Sequence, residues 1–409
     1  MAAIVEEGAF PLVGKVQHYA WGGFDFIPAL IGIEPEPEMP YAEYWLGAHD
    51  KAPSEIVQRD GTRIALNKVI KEQPEKTLGA AIMRKYGRLP FLFKVLDVNE
   101  MLSIQVHPSK AEAEAGFARE NALGIPLDAA ERNYKDDNHK PELQLALTDF
   151  WLLHGFKPEN ELRAVLEQVL EFTPLRPIFA ARGYYGLYEH VMTLPREQVN
   201  ALLEPLARRI LPLYEAGTLE KSSPDYWAAK AMAQEQSGNY DRGIFSIYFF
   251  NLVHLEPGQG IFQDAGVPHA ALEGQALEIM ANSDNVIRGG LTPKHVDVPE
   301  LLKQVTFQGM EPRIVTGKAD THPGEACYAT PSPDFALSRI LLRRGEQYQN
   351  ITYSTEILLC LDGEARLDAA GKEMHMQKGG SVVVFAGESY RLLAISDQAV
   401  VCRAYIPRA

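Results

Sequence analysis

Met-Leu-Ser-Ile-Gln-Val-His-Pro-Ser-Lys, residues 101–110, is the stretch on which the predicted fold and the predicted site both depend. Apolar and polar residues alternate along it, which is typical of a half-buried strand. In an extended backbone Gln105 and His107 project from the same face, whereas a helix would turn them far apart. Two potential metal ligands therefore point one way, although a polar strand face turned to water would give the same pattern.

The composition indicates a globular protein of more than one domain. With 409 residues the chain is longer than one hydrophobic core usually supports, so we expect two or three domains. The net charge of -14 argues against binding to nucleic acid or to anionic membranes, so a phosphorylated substrate would need a local basic pocket. The first residues do not resemble a secretion signal, and no apolar run reaches the length of about 18 residues that a membrane helix needs. We therefore expect a cytoplasmic protein; we also expect a monomer, although none of these features tests the oligomeric state.

Periodicity divides the chain into strand-rich and helix-rich regions. Residues 1–150 and 240–315 contain short alternating or apolar runs, which predict strands of one discontinuous domain. Residues 151–239 have helical periodicity and form a predicted α-helical domain inserted between them. Residues 316–409 contain short strands with regular turn signals, typical of a small barrel or jelly roll. The predicted class is mainly β with an α-helical domain.

Several individual elements can be predicted within this division. A helix is predicted for residues 110–121, and the apolar run 89–96 predicts a buried strand that carries one lysine. Residues 196–215 have an apolar helical face, but the two prolines within them are expected to kink or divide the helix. The run Ile-Phe-Ser-Ile-Tyr-Phe-Phe at 244–250 predicts a strand.

Two further residues complete a possible metal site. Glu142 begins a predicted strand, and His269 opens another strand directly after a Gly-Val-Pro turn that restricts the backbone before it. Together with Gln105 and His107 they supply one amide oxygen, two imidazoles and one carboxylate. This donor set suits an open catalytic site for zinc or a similar divalent ion, because a closed structural zinc site would favour thiolates. Four unrelated polar residues remain the alternative, since spacing alone does not bring distant strands together.

Basic residues suggest where a charged substrate would bind. Lys94 lies in the predicted buried strand, where an ammonium group costs free energy unless it is paired or faces a wet cavity. Arg288 and Lys294 lie in one glycine-containing loop and could clamp an anion such as phosphate.

Five segments in order along the chain together resemble the type I mannose-6-phosphate isomerase (phosphomannose isomerase) family. They are Gln17 to Gly22, Glu43 to His49, Gln105 to Ser109, Asn138 to Glu142, and Asp284 to Lys294 with its Leu-Thr-Pro-Lys core. The resemblance covers nearly the whole length. It implies tandem cupin-like (jelly-roll) barrels with an inserted helical domain: a catalytic cupin-like domain at 1–150 and 240–315, a helical domain at 151–239 and a C-terminal cupin-like barrel at 316–409.

The resemblance also implies a reaction and a set of ligands. Family members interconvert mannose 6-phosphate and fructose 6-phosphate, moving a carbonyl between C1 and C2 through an enediol or enediolate. One zinc ion would be held by four residues of this chain: Gln105, His107, Glu142 and His269. Zinc would act as a Lewis acid near the two oxygens.

The reaction further requires a group that transfers a proton between C2 and C1. Lys140 is our prediction for it, with His139 and Glu278 as other candidates beside the metal and Asp284 further along the chain. Arg288 is expected to stabilise the developing enediolate or to bind phosphate. Four residues are expected to be further substrate contacts: Lys94, Ser109, Asp284 and Lys294.

Two other classes of protein fit part of the pattern. A non-catalytic sugar-sensing tandem-cupin protein would share the fold and could share the metal, but it would have no need for both Lys140 and Arg288. A cupin iron dioxygenase would bind its metal with histidines and a carboxylate, and the amide of Gln105 argues against redox iron. Isomerase activity that depends on the metal separates the enzyme from both.

Overall fold

The computed structural model describes residues 8–235, 238–319 and 322–408. Within them the chain forms two large antiparallel sheets, each 11-stranded, together with helices. The predicted class, mainly β with helices, is confirmed.

The first sheet contains the opening stretch and most of the strands predicted around it. With strands and helices each numbered in chain order, its members are β2 (Lys15–Gln17), β3 (Glu43–Gly47), β6 (Phe91–Val98), β7 (Ile104–Val106), β8 (Glu142–Ala146), β9 (Phe150–Phe156), β10 (Phe250–Leu255), β11 (Gln259–Gln263), β12 (His269–Ala281), β13 (Ile287–Gly290) and β14 (Ile314–Thr316).

The second sheet combines the end of the chain with three strands from its beginning. Its members are β1 (Ala9–Val13), β4 (Glu55–Val57), β5 (Arg63–Ala65), β15 (Lys318–Ala319), β16 (Glu325–Tyr328), β17 (Ala336–Arg343), β18 (Gln347–Ile351), β19 (Glu356–Ala369), β20 (Lys372–Gln377), β21 (Ser381–Val384) and β22 (Ser389–Tyr405).

Helices connect and cover the sheets, and most of them follow β9. They are α1 (Phe26–Ile31), α2 (Leu66–Glu72), α3 (Pro74–Leu78), α4 (Ala80–Tyr86), α5 (Lys110–Ala122), α6 (Glu159–Gln168), a 3-10 helix (Leu170–Leu175), α7 (Arg176–Thr193), α8 (Arg196–Glu215), α9 (Pro224–Ala233), α10 (Gly243–Phe249) and α11 (Val298–Gln304). Within the described ranges, none of these helices combines the length and the apolar character needed to cross a membrane.

β12 brings the predicted site together, because it is long enough to pair with β6, β7, β8 and β9. In its register His269 lies opposite Gln105, and Glu278 lies opposite Lys94. At the same end as Glu278, Met280 lies opposite Glu142. Strands separated by more than a hundred residues in sequence therefore share one sheet.

The helical block packs against one face of this sheet and leaves the other face for polar side chains. Ile104, Val106 and Ile287 belong to the same buried cluster as the apolar residues of the helices. Because side chains alternate along a strand, Gln105 and Arg288 project from the opposite face. They also lie directly opposite each other in the β7–β13 register.

The structure corrects two predicted elements. Residues 244–249 belong to helix α10 rather than to a strand, which begins only at Phe250. Every residue of α10 is buried, so no polar face reveals its period and its β-branched and aromatic residues mislead. α8 is one helix that includes Pro205 and Pro212, and its buried residues continue on both sides of Pro205, so packing outweighs the lost backbone donor.

The sheets also divide the chain differently from the predicted boundaries. β1 pairs with β21, with Ala9 opposite Val384, so the first described strand belongs to the second sheet together with β4 and β5. β9, placed in the helical region by the boundary at residue 151, pairs with β10 and β12 in the first sheet. Both pairings join distant segments, which local periodicity does not reveal.

Candidate metal centre and active site

The side chains of His107, Glu142 and His269 converge although their residues come from different parts of the first sheet: His107 follows β7, Glu142 begins β8 and His269 begins β12. Nε2 of His107 lies 3.4 Å from Oε1 of Glu142, and Nε2 of His269 lies 3.5 Å from Oε2. One donor atom from each residue lies within 4.8 Å of the other two. All three side chains are at most 1% exposed. Three strong metal-binding groups therefore face one another in a dry site.

The atoms that face each other have no hydrogen-bond partner among the described residues. This is true of Nε2 of His107, Nε2 of His269 and Oε2 of Glu142. Buried polar atoms without partners are costly and rare in folded proteins, so the arrangement fits a bound cation that would satisfy all three. The chemistry of the set, two imidazoles and one carboxylate, suits zinc.

The other imidazole nitrogens are held by the backbone. Nδ1 of His107 lies 2.8 Å from the carbonyl oxygen of Asn285, and Nδ1 of His269 lies 2.9 Å from that of Val267. A carbonyl accepts a hydrogen bond from Nδ1–H, which leaves the Nε2 lone pair free for a metal. Burial lowers the pKa of His107 to about 4, so this imidazole is neutral at neutral pH.

A second cluster of buried charges surrounds Lys94, as the sequence predicted from its place in the strand. Its Nζ lies 2.7 Å from Oε2 of Glu278 and 3.7 Å from Oε2 of Glu43. Burial opposes the ammonium charge, but these two carboxylates outweigh it and raise the pKa of Lys94. Burial also raises the pKa of Glu278, and the charge of Glu142 adds to that effect. Glu278 is thus a carboxyl group whose titration is moved toward neutral pH.

Lys140 lies beside the metal-binding cluster, because its Nζ lies 3.2 Å from Oε1 of Glu142. Burial works against the Glu142 carboxylate, yet Lys140 and His107 lower its pKa and keep it ionised. His139, the neighbouring candidate, points elsewhere: its Nε2 lies 2.8 Å from Oδ2 of Asp334, in the segment leading to β17. Of the two basic residues, only Lys140 lies at the metal-binding group.

The side chain of Arg288 is half-buried and makes no hydrogen bond or ion pair with any residue in the described part of the chain. Burial alone lowers the pKa of its guanidinium, with no carboxylate to offset it. The neighbouring position across the sheet is Gln105, and the next is His269. An arginine kept partly dry without a counter-ion, two strands from the histidine, is suited to receive an anionic ligand.

Comparison with known proteins identifies the family to which this site belongs. A model of the phosphomannose isomerase type I catalytic domain matches residues 9–159. Mannose-6-phosphate isomerase of Escherichia coli K12 is 38% identical over 379 residues, covering 92% of this chain and 95% of that protein. The chain belongs to the type I phosphomannose isomerase family. The human mannose-6-phosphate isomerase is 33% identical over 414 residues, covering 94% and 95%.

Solved structures of the same family have the same fold. A zinc-bound mannose 6-phosphate isomerase superimposes with a TM-score of 0.83 at 34% identity, covering 98% of this chain and 100% of the other. The Salmonella typhimurium mannose 6-phosphate isomerase bound to substrate (f6p) and zinc gives a TM-score of 0.84 at 34% identity, with the same coverage. The family resemblance drawn from the five sequence segments is thereby confirmed.

The remaining residues expected to contact substrate in this phosphomannose isomerase lie in different surroundings. Asp284 pairs with Lys51 at 2.7 Å and lies 3.4 Å from Nε2 of His49. Ser109 is the N-cap of α5 and forms a capping box with Glu112, which occupies its hydroxyl.

Lys294 is exposed and lies away from the three metal-binding side chains. It lines a groove of about 620 Å³ between the loop after β13 and the helical block, and that groove contains none of the predicted metal ligands. Arg288 is not among the residues that line this groove.

The sequence reasoning did not select Glu43, Gln144 and Asn285. Glu43 contacts Lys94, while Nε2 of Gln144 donates to Oε1 of Glu278 at 3.2 Å. Glu43 lies in the quoted segment 43–49, whose polar residues could have been considered alongside its aromatic ones. Gln144 faces Glu278 directly in the β8–β12 register, which no local pattern encodes.

Proposed function

We propose that this chain is a zinc-dependent aldose–ketose isomerase that interconverts mannose 6-phosphate and fructose 6-phosphate through an enediolate. The observation that carries the proposal is the set of three buried, mutually facing metal-binding atoms in a member of the type I phosphomannose isomerase family. Buried acid and basic groups lie directly beside that set. Relatives named mannose-6-phosphate isomerase occur in bacteria and in animals.

The zinc ion would be held by His107, Glu142 and His269, with Gln105 as the fourth ligand. The strand register supports this role for Gln105, because Gln105 is paired directly with His269. Directly paired residues of antiparallel strands project from the same face of the sheet. When bound, zinc supplies a Lewis acid that favours negative charge on the oxygens at C1 and C2.

The side chains around the metal ligands would handle protons and charge. The reaction removes a proton from C2, holds the enediolate and returns a proton to C1. Lys140 remains our proposal for proton transfer, supported by its position at Glu142, and Glu278 is the alternative because burial raises its pKa. Arg288 would stabilise the enediolate or bind the phosphate, since its guanidinium has no other partner among the described residues.

The roles of the remaining predicted residues follow from their surroundings. Lys94 and Asp284 would contact substrate only after exchanging part of their present ion pairs. His139, Ser109 and Lys294 are also proposed to act at the site. The side chain of His139 contacts Asp334 and that of Ser109 contacts Glu112, so each would have to exchange this partner, and Lys294 lines a separate groove.

The architecture that accompanies this activity is also proposed. We infer tandem cupin-like barrels, one built on residues 1–150 and 240–315 and one on 316–409, with the helical domain 151–239 between them. The pairing of β1 with β21 would join the first strand to the second barrel. The enzyme would act as a cytoplasmic monomer on a phosphorylated hexose, without nucleic acid or membrane partners.

A coupled assay of fructose 6-phosphate formation, with and without a chelator, tests the function. Activity is expected to disappear when the metal is removed and to return when zinc is added. Full activity in the metal-free protein would refute the mechanism. An inactive but fully zinc-loaded protein would favour the non-catalytic sugar-sensing alternative.

A further inference from the structure

Asn285 is a fully buried side chain that ties two irregular segments together next to the metal ligands. Its Oδ1 accepts hydrogen bonds from the backbone N–H groups of Lys135 (2.7 Å) and Asp136 (3.2 Å). Its Nδ2 donates to the carbonyl oxygens of Asp136 (2.9 Å) and Asn138 (2.8 Å). The amide thus uses its acceptor and both donors on one loop, with no solvent exposure.

Asp136 completes this connection from the opposite side. Its Oδ1 accepts from the hydroxyl of Ser283 (2.8 Å), and its Oδ2 accepts from the backbone N–H of Asp284 (2.7 Å). We call Asp136 and Asn285 the clasp. Each of the two residues lies on one segment and satisfies backbone groups of the other.

Side-chain hydrogen bonds, including those of the clasp, restrain both segments. Residues 135–138 and 283–286 belong to no helix or strand. In the described part of the chain, no backbone-to-backbone hydrogen bond involves either of them. Side-chain contacts therefore determine where their backbone atoms lie, and the loss of those contacts would leave the segments free to move.

One of those backbone atoms acts on a metal ligand. The carbonyl oxygen of Asn285 lies 2.8 Å from Nδ1 of His107, and both residues have no solvent exposure. This hydrogen bond sets the imidazole tautomer and ring orientation that present Nε2 to Glu142. The other segment, 135–138, leads directly into His139 and Lys140. The clasp therefore also fixes the backbone just before the residues that lead to Glu142.

We infer that the Asn285 side chain is a positioning residue for His107 and thereby sets the affinity of the site for zinc. This inference rests on the proposed zinc site but not on the isomerase reaction. Partners of metal-bound histidines typically contribute about 10- to 100-fold to metal affinity. Here the partner is a carbonyl, and the side chain acts by holding that carbonyl in place.

Two variants remove the clasp in different ways. Asn285→Ala deletes the amide. Asn285→Asp keeps its shape, but it replaces the donor with a carboxylate oxygen that faces the carbonyls of Asp136 and Asn138. Thr352→Ala is the matched control, because Thr352 is also buried and its hydroxyl joins Phe385 to Glu388 in the second sheet region. It makes no contact with the metal-binding residues.

Zinc affinity of the full-length metal-free protein is measured by competition with a chromophoric chelator, and the visible spectrum of the cobalt-loaded protein reports the ligand geometry. Both Asn285 variants are expected to bind zinc about 10- to 100-fold more weakly and to give an altered cobalt spectrum. Thr352→Ala should match the wild type in both. Should Asn285→Ala fail to fold, Asn285→Asp and Asp136→Asn carry the test.

Two results would overturn the inference: wild-type zinc affinity in the Asn285 variants, or an equal loss in Thr352→Ala, which would indicate general loosening. Neither measurement uses catalysis. A wild-type protein that binds zinc but does not isomerise would refute the proposed function and leave this result interpretable.

Discussion

Replacing Lys94 by methionine perturbs the buried charges beside the metal ligands. Lys94 is 6% exposed, and its Nζ lies 2.7 Å from Glu278 and 3.7 Å from Glu43. Methionine approximates the length of the lysine stem but removes the ammonium, leaving two carboxylates buried without their cation. Removing one partner of a buried ion pair costs about 3–5 kcal/mol. We expect Lys94→Met to lower the free energy of unfolding by this amount at neutral pH.

The destabilisation should depend on pH in a defined direction. Burial already raises the pKa of Glu278, and the loss of Lys94 would raise it further. The folded variant then keeps a proton that the unfolded chain, with an ordinary carboxyl pKa, has released. Since the native state binds more protons, the stability of the variant falls as pH rises, by about 1.4 kcal/mol per pH unit for one proton. Lowering the pH toward the ordinary carboxyl pKa should recover part of the loss.

Urea unfolding of the metal-free protein, followed by tryptophan fluorescence at several pH values, measures both effects. The double variant Lys94→Met with Glu278→Gln should recover much of the stability and reduce the pH dependence, because the carboxylate is then absent. Lys68→Met, at an exposed lysine, is the control and should change stability by less than about 0.5 kcal/mol. A loss below about 1 kcal/mol that does not vary with pH would refute the reasoning.

Three further predictions concern single residues. Arg288→Lys should lower kcat/KM by about 10²- to 10³-fold while zinc affinity stays unchanged, because the planar donor pair is lost; wild-type steady-state kinetics would contradict this. Burial lowers the pKa of His154 to about 4 from its ordinary 6.5, so the unfolded state binds the proton first and stability is lost as pH falls between those values. His154→Gln should flatten that part of the profile in unfolding experiments, and an unaltered slope would exclude His154 as its source. Ser109→Ala should cost about 1 kcal/mol of stability through the lost helix cap, and unchanged stability would contradict that role; a tenfold rise in KM would support the proposed substrate contact, and an unchanged KM would contradict it.

The sequence alone was sufficient where the relevant pattern is local. The predicted helix at 110–121 is observed as α5, and the predicted strands around Lys94 and after Glu142 are observed as β6 and β8. The choice of donors also came from residue chemistry, since an amide, imidazoles and a carboxylate suit a catalytic zinc ion whatever the fold. The family could likewise be recognised from five short segments.

Patterns failed where burial is uniform or where packing overrides propensity. α10 is buried on every side, so its residues show no polar period, and α8 continues across two prolines with buried residues on both sides of Pro205. In both cases the deciding contacts come from residues far away in sequence.

Only the tertiary structure brings three of the proposed metal ligands, His107, Glu142 and His269, together. β12 pairs with four strands, and its register places His269 against Gln105 and Glu278 against Lys94. The structure also shows that the Arg288 side chain has no counter-ion within the described residues. The backbone carbonyl of Asn285 contacts Nδ1 of His107. Periodicity specifies which face of a strand is polar, but it does not specify which distant strand lies beside it, because strand pairing is selected by packing across the whole sheet.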